Sequence, residues 1–308
     1  MAMELETLTY ETGERVARIT LNRPERGNGI TPRMPVELAE CVERANLDPE
    51  VHAIALAGNG TGFCGGYDLV ASAEGDMSEL GEGGAAPPGS PLDPAVIGAN
   101  HAPDSNWDPV TDYQFMSRNV RGFMSLFHSE KPVLCKVHGY CVAGGTDMAG
   151  PCQRVAGEEQ ALGPHRPQPA RPHRRRRRAP DARRRVADLR VGGDHQQVRA
   201  EQAAEWGLAT EAAPAEQLDE RFERLLERVA RMPVNQLVMM KLLVNQTVHA
   251  QGLTQTQVLG TFFDGIARHT EEGHAFVRRA AESGFREAVR ERDEPYGDHG
   301  LEGFGLDQ

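Results

Sequence analysis

Residues 131–149 read KPVLCKVHGYCVAGGTDMA, and this stretch decides the fold. Within it, residues 132–138 place Val133, Cys135 and Val137 at alternate positions, the period of a β-strand. The strand runs into a glycine-rich turn that ends at Gly144-Gly145-Thr146-Asp147. Upstream, residues 15–21 (RVARITL) read as a strand, and Asn22-Arg23-Pro24-Glu25 turns the chain. Thr31-Pro32 reads as a helix start, an N-cap followed by Pro at the first helical position. Met34, Leu38, Val42 and Ala45 follow as one apolar face. Residues 51–57 are nearly all apolar, the mark of a strand buried on both faces, and Gly58-Asn59-Gly60 turns out of it. Residues 75–112, rich in Gly, Pro, Ser and Asp, read as one long loop, and a helical pattern resumes near Tyr113 and runs to about Ser129. This order predicts an α/β fold.

Two glycine-rich turns therefore each follow a buried strand: residues 63–69 (FCGGYDL) and residues 138–147 (HGYCVAGGTD). Glycine lets backbone approach a ligand closely. Two such turns at neighbouring strand ends suit an oxyanion hole, in which peptide N–H groups hold the charge developing on a carbonyl oxygen. One such donor is worth about 3–4 kcal/mol. The plain alternative is a pair of ordinary strand-to-helix turns.

After residue 149 the pattern changes. Residues 150–199 carry 13 Arg and 6 Pro, with no Lys, Ile, Met, Phe, Tyr or Trp. Set against five acids this gives a charge of +8, which leaves −19 on the rest of the chain. Five consecutive arginines (174–178) repel one another, and Pro breaks both helix and ladder. From about Gln202 the chain reads as core again. Leu218, Phe222, Leu225, Leu226 and Val229 make a helix face, and residues 233–249 make a second helix. Thr254 and Thr270 read as N-caps of helices at about 254–268 and 270–282, and residues 285–292 as a short charged helix.

Composition narrows the function. The acidic body argues against nucleic acid as main partner. Five cysteines without metal-ligand spacing read as reduced thiols of a cytosolic protein. The N-terminus has neither the basic region nor the apolar run of a signal peptide, and no stretch approaches 18 apolar residues. A cytoplasmic location with no membrane contact is expected.

Four separated motifs carry a resemblance: LNRPE with Asn28 (21–28), FCGGYDL (63–69), the stretch 131–149, and AAEWGL (203–208). In order and spacing the chain resembles the crotonase superfamily, the enoyl-CoA hydratase/isomerase group, over roughly residues 1–149 and 202–308. The resemblance implies a crotonase-like ββα spiral core over 1–205 and a C-terminal α-helical trimerisation region over 206–308. The substrate it implies is an acyl-CoA, so coenzyme A comes with the substrate and no separate cofactor or metal is needed; the assembly is a homotrimer or a dimer of trimers. It implies oxyanion donors at the N–H groups of Tyr67 and Gly144, and CoA-thioester contacts at Arg23, Arg26, Gly66, Asp68, Leu69 and Gly145. Asp68 more often fixes the loop than does chemistry, and a solvated role is the alternative for the two arginines.

In hydratases of this group two glutamates act as acid and base. Asp147 stands at the first position, one methylene shorter, a retraction of about an ångström. Its alternative role is a helix cap. The second position falls near Pro167, where no acid stands. His138 is expected to be structural, and Trp107 and Tyr113 either line an acyl pocket or anchor the long loop. The tract 150–199 stands where the family has a strand and two helices. Only three of 34 basic residues are Lys, a bias of GC-rich coding, and such coding read out of frame gives runs of Arg, Pro and Ala. Compensating shifts near codons 150 and 200 account for the tract. A genuine Arg-rich insert, a nucleic-acid arm and a basic targeting signal are the alternatives. A catalytically impaired or non-catalytic acyl-CoA binder, another reaction of the superfamily (hydrolase or dehalogenase) and a basic-arm nucleic-acid binder are the rival functions.

Overall fold

In the computed structural model the described residues are 4–68, 87–102, 105–150, 152–157, 161–162 and 200–293. Strand β1 (Leu8–Gly13) pairs antiparallel with β2 (Val16–Leu21), Leu8 opposite Leu21. Helix α1 (Arg33–Leu47) then leads to β3 (Ala53–Gly58), which lies parallel to β2 with Val16 opposite Ala53. Helices α2 (Pro94–His101) and α3 (Pro109–His128) precede β4 (Val133–Val137), parallel to β3. The second glycine-rich turn holds the short β5 (Tyr140–Cys141) and α4 (Gly144–Ala149). β6 (Gln153–Gly157), β7 (Ala161–Leu162), α5 (Ala200–Glu205) and β8 (Glu211–Ala213) follow. The main sheet runs β1-β2-β3-β4-β6-β8, and β5 pairs with β7. Helices α6 (Leu218–Ala230), α7 (Val234–Ala250), α8 (Leu253–Arg268), α9 (Glu271–Ser283) and α10 (Phe285–Asp293) complete the chain.

Alternation along the strands builds two cores. Ile54, Leu56, Val133, Cys135 and Val137 face α1, α3 and α4, where Met34, Leu38, Phe123, Leu126 and Met148 are buried. The intervening Ala53, Ala55 and Leu134 face α6, whose Leu218, Phe222, Leu226 and Ala230 recur every four residues. Truncating any of these large side chains to Ala removes about 2–5 kcal/mol. The six-stranded sheet is thus a rigid plate whose strand ends hold the turns of interest.

Several boundaries differ from the sequence reading. β1 was absent from it, because Leu8, Thr9 and Tyr10 are too short a signal. The loop expected over 75–112 contains α2 and the first turn of α3. Asp93 and Asp108 cap these helices, accepting from Ala95 N–H at 2.9 Å and Val110 N–H at 2.8 Å, and the prolines that suggested a loop stand at the first helical position. Thr31 does not cap α1: Pro32 is the N-cap residue, and the Thr31 hydroxyl has no partner among the described residues. Thr254 lies inside α8, which starts after left-handed Gly252. Thr270 does cap α9, accepting from Gly273 N–H at 3.1 Å. The sheet also continues past residue 150 through β6, which lies between β4 and β8. The arginine run lies outside the described residues. All five cysteines are buried, and no described helix is long and apolar enough to cross a membrane.

Candidate active site

The two glycine-rich turns lie side by side at the strand ends. Phe63 N–H donates to Tyr140 O at 3.0 Å, Cys64 N–H to the same oxygen at 3.2 Å, and Val142 N–H returns to Cys64 O at 3.0 Å. Buried Asn28 pins the first turn: its amide donates to Asn59 O, Gly62 O and Phe63 O at 2.8–3.1 Å, while its Oδ1 accepts from Arg23 N–H. Gly139 takes φ +57, and a Cβ there would meet Thr61 O at 1.9 Å, so the second turn requires glycine. Burial pushes the Cys64 thiol up to about 12, which makes it packing rather than a nucleophile.

Tyr67, Gly144 and Asp147 converge at this seam. Tyr67 forms a parallel bridge with Ile30, in which Gly66 O accepts from Ile30 N–H and Asp68 N–H donates to Ile30 O. That pattern turns the Tyr67 N–H away from Ile30. Gly144 opens α4, so no helical carbonyl reaches its N–H. It follows Ala143, whose φ of +46 is rare for a residue with a side chain. Gly145 N–H closes the turn on Val142 O at 2.8 Å. A Cβ on Gly144 would meet Ile30 Cδ1 at 2.5 Å and the Tyr67 ring at 3.2 Å, so the two turns touch here. Gly66 and Gly145 are close-packed in the same way, against Ala143 and Cys64.

Asp147, one turn into α4, has part of its surface open to solvent. The surrounding walls still strip bulk water from its carboxylate, and the charge of Asp264 adds to this; together they push it up to about 6. The Tyr67 phenol is pushed up by burial and by Asp147 and Asp264, against an opposing hydrogen bond with Asn119.

Arg23 and Arg26 meet on buried Asp68, at 3.0 and 3.1 Å, and Arg23 also donates to Gly29 O at 2.6 Å. Asp68 therefore fixes the loop, as expected. Leu69 lies outside the described residues. His138 has a structural contact, its Nε2 lying 2.9 Å from Gly60 O. Trp107 stacks on His269 and Tyr113 on Phe262, both at 4.4 Å, so these two rings anchor the segment to the C-terminal helices.

Sequence reasoning missed the α8 side. Asp264 and Arg268 approach Tyr67 from α8, while Asn119 approaches from α3. Behind them Arg268 grips buried Asp112 of α3 at 3.0 Å, and His101 of α2 lies 3.1 Å from the same carboxylate. No local pattern marks residues so far apart in the chain. No cluster of His, Cys, Asp or Glu suited to a metal occurs among the described residues.

The enoyl-CoA hydratase/isomerase family model matches residues 16–163. The probable enoyl-CoA hydratase echA14 of Mycobacterium tuberculosis is 29% identical over 170 residues, 53% of this chain and 54% of that protein, so the match spans about half its length. The putative enoyl-CoA hydratase EchA13 of the same organism is 26% identical over 257 residues, 82% and 77% of the two chains. The crystal structure of enoyl-CoA hydratase from Mycobacterium smegmatis superposes with a TM-score of 0.81 at 46% identity, covering 99% of this chain and 98% of that one. The family match continues through β6 and β7 to residue 163. On the family match and this near full-length likeness, the chain belongs to the enoyl-CoA hydratase/isomerase family.

Proposed function

We propose that the protein transforms an acyl-CoA by holding a thioester enolate between the N–H groups of Tyr67 and Gly144, with Asp147 moving the proton. The observation that carries this reading is the meeting of three features at one seam. Two turns present N–H groups without a sheet or helix partner, and a carboxyl pushed up to about 6 stands one helical turn away. Such a carboxyl holds and releases a proton near neutral pH. In an isomerisation, ionised Asp147 takes a proton from the acyl carbon, the enolate oxygen rests on the two N–H groups, and the same carboxyl returns the proton. In a hydration it takes the proton of the attacking water.

The remaining roles follow the same reading. Arg23 and Arg26 together carry one more charge than the Asp68 they share, which suits the CoA phosphates. Gly66 and Gly145 line the thioester. Residues 1–205 are the catalytic unit and 206–308 the assembly region. α7 and α8 leave Leu243 72% and Phe263 62% exposed, with Met239, Met240, Val244 and Leu259 beside them, a face suited to a homotrimer or dimer of trimers. The enzyme works in the cytoplasm without further cofactor. The tract over about residues 150–200 is read out of frame, with compensating shifts near codons 150 and 200, which removes the acid that hydratases carry near position 167. Resequencing the gene from source DNA tests that point, and confirmation of the present frame overturns it.

The functional test is loss of the conjugated enoyl absorbance of crotonyl-CoA, run beside Asp147→Asn and beside binding of a CoA thioester. Turnover that Asp147→Asn abolishes supports the reading. Binding without turnover makes the protein an acyl-CoA binder, and absence of both overturns the proposal.

A further inference from the structure

We infer that Thr146 is a positioning residue: its hydroxyl and its N–H hold Ala143 O on the α4 side, and so keep the Gly144 N–H turned outward as a donor. This rests on the reading of that N–H as one of the two enolate donors, and it names what orients it. The turn Val142–Gly145 is closed by Gly145 N–H donating to Val142 O at 2.8 Å. Within it Ala143 takes φ +46 and ψ −120, the dihedrals of the second residue of a type II′ turn, and Gly144 keeps a negative φ. Glycine is the usual residue at that second position, because a residue with a side chain there falls outside the allowed regions. Here an alanine occupies it. Its Cβ is wedged against the first turn, where a Cβ on Gly66 would lie 3.2 Å away.

The strain has a local way out. Turning the Ala143–Gly144 peptide over converts the turn to type I′, which places Ala143 in the left-handed helical region and asks for a positive φ at Gly144. That region is an allowed one for alanine, and Gly144, with no Cβ, accepts the change. In a trans peptide the C=O and N–H point opposite ways. The same rotation would therefore swing the Gly144 N–H away from its present direction and leave the seam with one donor instead of two. Three hydrogen bonds oppose it. Ala143 O accepts from Thr146 N–H at 2.8 Å, from Thr146 Oγ1 at 2.6 Å and from Asp147 N–H at 3.4 Å. The two N–H groups belong to the backbone of α4 and do not depend on the side chain at 146. The hydroxyl does, and its bond is the shortest of the three. Thr146 acts on the thioester through the Gly144 peptide.

The test reads the donor on a bound thioester. The probe is butyryl-CoA isotope-labelled at its carbonyl carbon, a saturated thioester with no double bond to hydrate. Infrared difference spectra of the full-length protein give its C=O stretch. In the wild type this stretch is expected below that of the free thioester, because two N–H groups polarise the carbonyl. Thr146→Val keeps the shape and loses the hydroxyl. A second, less shifted band is expected there, with kcat on crotonyl-CoA about tenfold lower and KM little changed. Thr146→Ser restores both. Adding Ala143→Gly to Thr146→Val also recovers kcat and the single band, because glycine holds the type II′ turn without strain. A side chain that merely packs is not rescued in this way. The wild-type band in Thr146→Val, a loss shared by Thr146→Ser, a rise in KM alone, or no recovery in the double variant overturns the inference. Where crotonyl-CoA is not turned over, the bands alone decide. A wild-type carbonyl that binds unshifted, or does not bind, removes the enolate donors themselves and the inference with them.

Discussion

Two buried aspartates in this protein each gather two basic side chains, and they do different work. Asp68 binds Arg23 and Arg26, and the side chains at 20% and 35% exposure hang from one loop beside the first turn. Asp112 binds Arg268 and His101, and its ties reach from α3 to α2 and across 156 residues to α8. The first cluster stiffens a local loop. The second fastens α8 to α3 and α2 of the α/β core. Similar chemistry closes spans of 42 and 45 residues in one place and of 156 residues in the other, and the difference lies in how far along the chain the partners stand.

Replacing each aspartate by Ala sharpens that contrast. A buried pair that loses one partner costs about 3–5 kcal/mol, because the remaining cation is stranded. Both variants are expected to lose stability on that scale in urea unfolding. They separate in hydrogen exchange: Asp112→Ala exposes the amides of α8, and Asp68→Ala those of the turn at 63–68. Unchanged protection of α8 in Asp112→Ala breaks the comparison.

Gly144→Ala probes the seam between the two regions. The added Cβ displaces Ile30 or the Tyr67 ring, and with it one or both N–H donors. Loss of one donor lowers kcat about 10²–10³-fold, while urea stability changes little beside the aspartate variants. A variant with full kcat removes Gly144 from the site.

Acid titration separates the clusters less strongly. Burial alone raises Asp112, but the hydrogen bond from His101 and the Arg268 charge outweigh it and hold the carboxyl below its ordinary range. A depressed carboxyl contributes stability above its unfolded pKa of about 3.9, and loses it as pH falls through the folded value. Asp112→Asn is therefore expected to unfold with a shallower stability slope below about pH 4 than the wild type. An identical slope refutes the ionic tie to α8.

The same contrast explains what could be read from sequence. The strands at 16–21, 53–58 and 133–137 and the two glycine turns were legible, because each rests on a local period or a motif with fixed spacing; Tyr67, Gly144 and Asp147 were singled out by the family resemblance, and the fold brings them to one seam. Asp93-Pro94 and Asp108-Pro109 carried the same cap signal as Thr31-Pro32, yet the surrounding glycine and proline masked it. Thr31 shows the converse: the pattern was present but the hydroxyl does not cap. Asp264, Arg268 and Asn119 have no local signature. Their roles arise when α8 lies along α3, a tertiary fact that no window of sequence contains.

The smallest expected effect tests whether the Asp147 carboxyl is held at a cost to the fold. The Asp147 carboxyl is pushed up to about 6, first by its enclosure and then by Asp264. Between about pH 4 and pH 6 the native protein keeps a proton that the unfolded chain has already released. Stability therefore falls as pH rises through that window, and the full contribution is present only below about pH 4. Above about pH 6 both states are ionised and the penalty is constant. Asp147→Asn carries no charge at any pH, so its melting temperature is expected to exceed that of the wild type at pH 8. The advantage shrinks through pH 6 and vanishes near pH 4, while turnover stays lost at every pH. Scanning calorimetry at these three values decides the matter. A variant that melts below the wild type at pH 8 means that Asp147 is a helix-capping residue, and the enclosure at the seam is then no sign of chemistry.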